Sequence, residues 1–407
     1  MPPSELSWLD HDAAAAERSM RLLSMFQERE SRDELGIGGI RDSIADQLFP
    51  GTSTIQTRLR YVFFIPWQFA RLDERHTKAT AFPAASREAE SRLLAALLQN
   101  EPTSAPGIIG REAGSTLKRM PSSVYWAGLG SWGIRRADLS LQQYFGQADL
   151  RDVARRSRRR RDDDEWSEAD ASGEVWHPQL MKLRPVDFPE SAVLSLTRPE
   201  SELLLDLWRS RHPDSLLTWL ALDMASGHES IQAVRAWAHP RFASFPAQTR
   251  TLLDHARRFD VLVRGAALLY NLQLAEMGSR QELEEAYRTE LAKWSADEAP
   301  SCRDWQLSAF WPRVLGQGHT ITGETQRFIE AWHRLSQLPS LVSPADSKEA
   351  RELVGKRERR LKGLRSRLQN PAALAQWGGR AGLEPLTYRW PTTTVFLNDW
   401  LLGWRQS

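Results

Sequence analysis

The residues best suited to recognition chemistry lie in one short run, Leu48-Phe49-Pro50-Gly51-Thr52-Ser53-Thr54-Ile55-Gln56-Thr57-Arg58-Leu59-Arg60-Tyr61. Pro50-Gly51 predicts a turn, and Ser53 or Thr54 then caps a helix whose core side carries Ile55, Leu59, Val62 and Phe69. Gln56, Thr57 and Arg60 point away from that side. A helix, a tight turn and a second helix opening on hydroxyls, glutamine and arginine is the layout of a helix-turn-helix reader. The open N–H groups of such a helix start also favour a phosphate. Ser53, Thr54, Gln56, Thr57, Arg58 and Arg60 are therefore candidate nucleic-acid contacts. A structural reading competes with this one. In it the hydroxyls only cap, Arg58 and Arg60 pair with acids such as Asp46 or Asp42, and the apolar run Phe63-Phe64-Ile65 with Trp67 buries the rest of the helix.

A second basic element is predicted over 346–369, a helix opening with Asp346 three residues before Glu349. From Glu349 to Arg367 it carries eight basic and three acidic residues, a local net of +5 on a narrow apolar stripe. Lys356, Arg359, Arg360 and Arg367 are candidate phosphate contacts, of the salt-dependent and sequence-independent kind. The same face also suits a solvated arm or the docking of an acidic partner. Trp132, Trp176 and Trp390 neighbour Arg or His and are candidates for stacking on bases, whereas the remaining tryptophans read as core or interface.

Local enzyme signatures do not appear. The sequence holds no Walker A loop, no GxGxxG after a strand, no GxSxG elbow and no HExxH, and its nine histidines occur singly. No catalytic residues, no metal ligands and no cofactor are assigned, and the chain leans away from being an enzyme. A nuclease site assembled from distant acids remains as an alternative.

The elements that must position these residues are helical. Amphipathic periodicity predicts helices over 10–29, 39–48, 84–99, 199–210, 214–224, 280–296 and 325–337, besides the two above. The segment 247–278 is apolar on two sides, as befits a helix engulfed by its neighbours. Residues 102–124 read as loop, and 386–396, β-rich in propensity, as a strand or an extended lead-in. The fold class is all-α, with at most minor β structure.

Six arginines between Arg155 and Arg161 followed by six acids between Asp162 and Asp170 cannot enter a core. This seam, 155–175, divides an N-terminal helical domain (1–154, with the helix-turn-helix-like segment at 38–72) from a C-terminal helical domain (176–407). Composition bounds the class. The chain has 407 residues with a net charge of +2, and seven of its 54 basic residues are lysine. A single cysteine excludes a disulfide scaffold or a thiolate metal cage and fits a reducing cytoplasm. No run is long and apolar enough to predict a membrane span.

The run Arg32-Asp33-Glu34-Leu35-Gly36-Ile37-Gly38, with Phe49-Pro50-Gly51-Thr52-Ser53-Thr54-Ile55-Gln56-Thr57-Arg58, Arg60-Tyr61, Phe64 and Pro66-Trp67, resembles the N-terminal signature of an uncharacterised bacterial family, as does Leu386-Thr387-Tyr388-Arg389-Trp390. That family is known as a domain of unknown function, so no catalytic residues carry over. The resemblance spans most of the chain, with the charged seam as the expected departure. It implies a bacterial cytoplasmic protein encoded near helicases and phospholipase-D-like nucleases in antiphage defence loci. The expectation is thus a non-enzymatic accessory protein that contacts nucleic acid, DNA rather than RNA, or a DNA-processing partner such as a helicase or nuclease subunit. A protein–protein scaffold without nucleic-acid contact is the alternative.

Overall fold

The structure, a computed structural model, describes residues 33–159, 175–229, 233–337 and 343–406. The chain is all-α, as its periodicity predicts. Among the described residues, extended pairing is confined to one isolated bridge, Arg135 with Trp176. The predicted helix over 10–29 and residues 160–174 of the charged seam lie outside the described residues. No described helix is long and apolar enough to cross a membrane.

The chain divides into two compact units, and the division does not fall at the seam. One unit comprises Ile44–Leu253 with Thr387–Ser407, and the other joins the chain before residue 44 to Asp254–Leu386. The expected boundary at 155–175 is corrected accordingly, because 44–154 and 176–253 share one unit. Packing explains this: the indole of Trp67 donates to the Leu180 carbonyl, and Phe64 and Trp67 both meet Phe188. The first residue of the seam is not solvated either. Arg155 ends up buried, on the helix Ala148–Arg159, where it meets Asp152.

The first unit is built around the helix Tyr61–Glu74, whose residues from Tyr61 to Ala70 are all buried. It packs on Phe82–Asn100 and Pro121–Ser131, and on the shorter contacts of Ala148–Arg159 and Pro178–Lys182. A helix apolar on every side must be covered on every side. The helices Arg198–Arg211 and Leu216–Ala225 pack on the C-terminal helix Trp390–Trp404. That last helix corrects the extended reading of 386–396. Its β-branched residues Thr392, Thr393, Thr394 and Val395 disfavour helix only weakly. Pro391 in the first turn and the burial of Trp390, Phe396, Leu397 and Trp400 outweigh them. The helix Pro121–Ser131 likewise begins inside the stretch expected to be loop.

In the second unit the helix Ala247–Met277, from Asp254 onward, is the central post that its two apolar faces predict. Trp294 and Trp332, stacked 6.1 Å apart, donate their indole N–H groups to the carbonyls of Val261 and Leu262. Gly265 makes the close approach possible, since a Cβ there would lie 2.2 Å from the Trp294 ring. Asn271 clasps Ala381 in both directions, donating to its carbonyl at 2.6 Å and accepting from its amide at 2.8 Å. Around the post stand Gln281–Lys293, Leu307–Val314, Gly323–Gln337 and Lys348–Lys362.

Candidate functional site

The signature run does not open a helix at Ser53 or Thr54; the helix begins at Tyr61. Residues 52–60 form an irregular segment held by hydrogen bonds from much of the unit. Gly51 sits at φ +76° with the Trp132 indole against it, and that indole donates to the Pro50 carbonyl at 2.8 Å. Buried Gln56 closes the next turn, accepting from the Ser53 amide at 2.8 Å and donating to the Gly51 carbonyl. Thr57 donates its hydroxyl to the Gly107 carbonyl at 2.6 Å. The Tyr125 phenol accepts from the amides of Thr57 and Arg58 and donates to the Arg58 carbonyl. Burial drives that phenol far above its ordinary pKa, so the oxygen keeps the proton it donates.

The two arginines are spent on carboxylates. Arg58 grips Asp399, with its Nε 3.0 Å from both oxygens, and the Leu59 amide completes the set at 2.9 Å. Arg60, only 5% exposed, pairs with Glu200 at 2.9 Å and donates to the Val193 carbonyl. Glu200 also caps its own helix through a reciprocal pair with Thr197. The acids differ from those that sequence proximity suggests: Asp46 is taken by Arg389, which also donates to the Thr52 carbonyl. Of the six candidate residues here, Thr54 is exposed, Ser53, Thr57 and Arg58 are half-buried, and Gln56 and Arg60 are buried.

The basic helix belongs to the other unit. It runs over Lys348–Lys362 rather than 346–369, with Ser347 as its cap, and stops at Gly363, which takes φ +53°. Arg357 turns inward to the carbonyls of Leu35 and Gly36 and to the Thr325 hydroxyl, and burial lowers its pKa. Lys362 and Arg367 converge on Glu34, and Arg360 meets Glu324. Buried Glu358 accepts from the Arg367 amide and the Ser366 hydroxyl, folding the chain back after the helix. Lys356 meets the exposed Glu352. Past the helix end Leu364 stands 93% exposed, beside Arg365 and one turn from Leu361.

The three tryptophans expected to stack on bases are interior. Trp132, Trp176 and Trp390 are each no more than 2% exposed, and each indole N–H is bonded, to Pro50, Tyr144 and Ala233 respectively. Buried rings offer no face to a nucleic acid, which corrects that expectation.

The arrangement closest to acid–base chemistry joins His76, at φ +56°, to Asp152, with Nδ1 2.5 Å from Oδ1. Burial works to raise the Asp152 pKa, but the hydrogen bonds from His76 and Arg155 overcome it and hold the group at about 2. A carboxylate only accepts, so this bond requires a proton on His76 Nδ1. Among the described residues no group of three metal-ligating side chains converges.

Sequence proximity missed the residues that organise the site: Asp399, Glu200 and Tyr125 lie 341, 140 and 67 positions from their arginine partners. One signal was present. Asp399 is the lone charge in the apolar run Val395-Phe396-Leu397-Asn398-Asp399-Trp400-Leu401, and an acid in such a helix needs a cation. No curated protein and no solved structure matches the chain. A family of unknown function, DUF6361, matches residues 3–401, and the chain belongs to that family.

Proposed function

We propose that the protein is a non-enzymatic accessory subunit of a bacterial antiphage defence assembly, and that its working contact is with a partner protein. The observation that carries this reading is the commitment of three of the candidate arginines to internal acids. Arg58 and Arg60 are held by Asp399 and Glu200, and Arg367 with Lys362 by Glu34. A DNA phosphate would have to displace a partly desolvated carboxylate at each of them, leaving a buried charge without its counter-ion. The outward residues near the basic helix are of another kind: Leu364 and Leu361, with Arg365 next to Leu364 in the chain. An apolar anchor rimmed by cations suits an acidic, partly apolar protein surface. The defence setting rests on the family resemblance of the signature run.

A second reading keeps nucleic acid, DNA by preference, through the outer face of the basic helix, because Lys356 and Arg360 are each more than 70% exposed. One experiment separates the two. The tagged protein is mixed with the purified products of its neighbouring genes, helicase and nuclease subunits first, with and without nuclease treatment. Retention that survives nuclease and fails in Leu364→Asp supports the protein contact. Gel-shift binding that weakens steeply with salt and fails in Lys356→Gln/Arg360→Gln, with no nuclease-resistant complex, replaces it with the second reading.

A further inference from the structure

The first unit contains a small cleft that the signature network leaves unused. It lies between the end of Tyr61–Glu74, the middle of Phe82–Asn100 and the loop at Pro189, and Arg71, Arg75 and Arg92 line it with Gln68 and Glu190. Its volume is about 40 Å³. A water needs about 10–15 Å³ on that scale, so the cleft has room for one small anion.

Two features mark these arginines. Arg71 and Arg75 stand one helical turn apart, where like charges repel. Yet neither has a carboxylate within ion-pair distance among the described residues, and Arg92 reaches only the exposed Glu88, at 3.8 Å. The neighbouring acids are engaged elsewhere: Asp73 holds Arg151 and the Tyr144 hydroxyl, and Glu74 holds Arg184. Glu190 is the one acid in the lining, against three guanidinium groups.

Gln68 supplies the specificity. Its side chain is 3% exposed, and its Nε2 donates to the Ala89 carbonyl at 2.9 Å, which fixes the orientation of the amide. Its Oε1 is buried and accepts no hydrogen bond, and the residue borders the cleft. A buried acceptor left without a donor costs free energy, so the fitting ligand brings a donor. Guanidinium forks suit a tetrahedral oxyanion. An oxyanion that is also a donor carries a P–OH group.

The geometry points to a binding site for a protonated phosphate, either inorganic hydrogenphosphate or a phosphomonoester in its singly protonated form, held by Arg71, Arg75 and Arg92 with its P–OH donating to Gln68 Oε1. Sulfate, equal in shape but carrying no proton at neutral pH, fills the same space and leaves Gln68 without a donor. The site therefore discriminates between two nearly isosteric anions, and only one built acceptor decides the outcome.

Isothermal titration of the full chain with sodium phosphate, and separately with sodium sulfate at matched ionic strength, tests the proposal. The expected result is saturable phosphate binding at least about tenfold tighter than sulfate, a buried unmatched acceptor being worth a factor of that size or more. Glycerol phosphate in a third titration identifies the source: binding that strengthens as the pH falls toward about 6 marks a phosphomonoester site, and binding of inorganic phosphate alone marks a free-anion site. Arg71→Gln/Arg75→Gln weakens phosphate binding by about tenfold or more through loss of charge-assisted contacts. Arg92→Gln, on an exposed position, gives the same direction should the double variant fail to fold. Equal affinity for phosphate and sulfate, no saturation with phosphate, or unaltered phosphate binding in folded Arg92→Gln and Arg71→Gln/Arg75→Gln overturns the proposal.

Discussion

Arg58 and Asp399, separated by 341 positions, form a fork in which Nε lies 3.0 Å from both carboxylate oxygens and Nη2 lies 2.8 Å from Oδ1. The pair joins the signature segment to the C-terminal helix, and Asp399 also accepts the amide of Leu59. Removing the acid leaves a partly buried guanidinium and a buried N–H without partners. Asp399→Ala should cost about 3–5 kcal/mol, as breaking a buried pair from one side does. Urea denaturation measures it, and a loss below about 1 kcal/mol would show that the pair does not organise the unit.

Buried Glu90 accepts from the amide and hydroxyl of Ser122 and from Ser86, across to the start of the helix Pro121–Ser131. Burial raises its pKa from 4.5 to about 7, against the opposing pull of the Ser122 hydrogen bonds. The folded chain thus binds a proton that the unfolded chain has released between those two values. Stability contributed by this group is present at low pH and falls as pH rises toward about 7, by roughly 3 kcal/mol in all. Glu90→Gln, which keeps the amide acceptor and lets the Ser122 hydroxyl turn to accept, should lose that slope. Urea midpoints of both proteins at about pH 5 and about pH 8 give the comparison, and parallel pH curves would rule the group out as the cause.

Two glycines with positive φ separate steric from torsional cost. A Cβ at Gly51 would lie 2.3 Å from the Trp132 indole nitrogen, whereas one at Gly227, φ +100°, meets nothing within 4 Å. Gly227→Ala should cost only the strain of its backbone, about 1 kcal/mol or somewhat more. Gly51→Ala adds displacement of Trp132 and its bond to Pro50, for a total of at least about 3 kcal/mol. Equal melting temperatures for the two variants would contradict the close packing at Gly51.

Cys302 is fully buried, its thiol in contact with the Arg258 carbonyl, and burial pushes its pKa to about 11. A protonated, enclosed thiol is a poor nucleophile. Labelling by a thiol reagent at neutral pH should therefore be slow in native buffer and should track unfolding in urea. Rapid stoichiometric labelling of the native chain would refute the enclosure.

The sequence by itself determined the helical class, the engulfed post at 247–277 and the apolar helix after Tyr61, because period and all-round apolarity depend on neighbours in the chain. Its signature run also marked out a special segment. What the segment does was decided by tertiary structure. Hydroxyls, glutamine and arginine after a Pro-Gly turn suit a phosphate or an internal network equally well, and the deciding acids, Asp399 and Glu200, come from distant helices. The seam misled for a related reason: charge density excludes a core on average, yet Arg155 is buried because Asp152 and the Asp73 carbonyl are placed to receive it. The Trp390 helix and the arginine-lined cleft share that origin. Local propensity is worth tenths of a kilocalorie per residue, whereas burial, ion pairing and unmatched hydrogen-bonding groups are worth whole ones, and those depend on what the fold brings together.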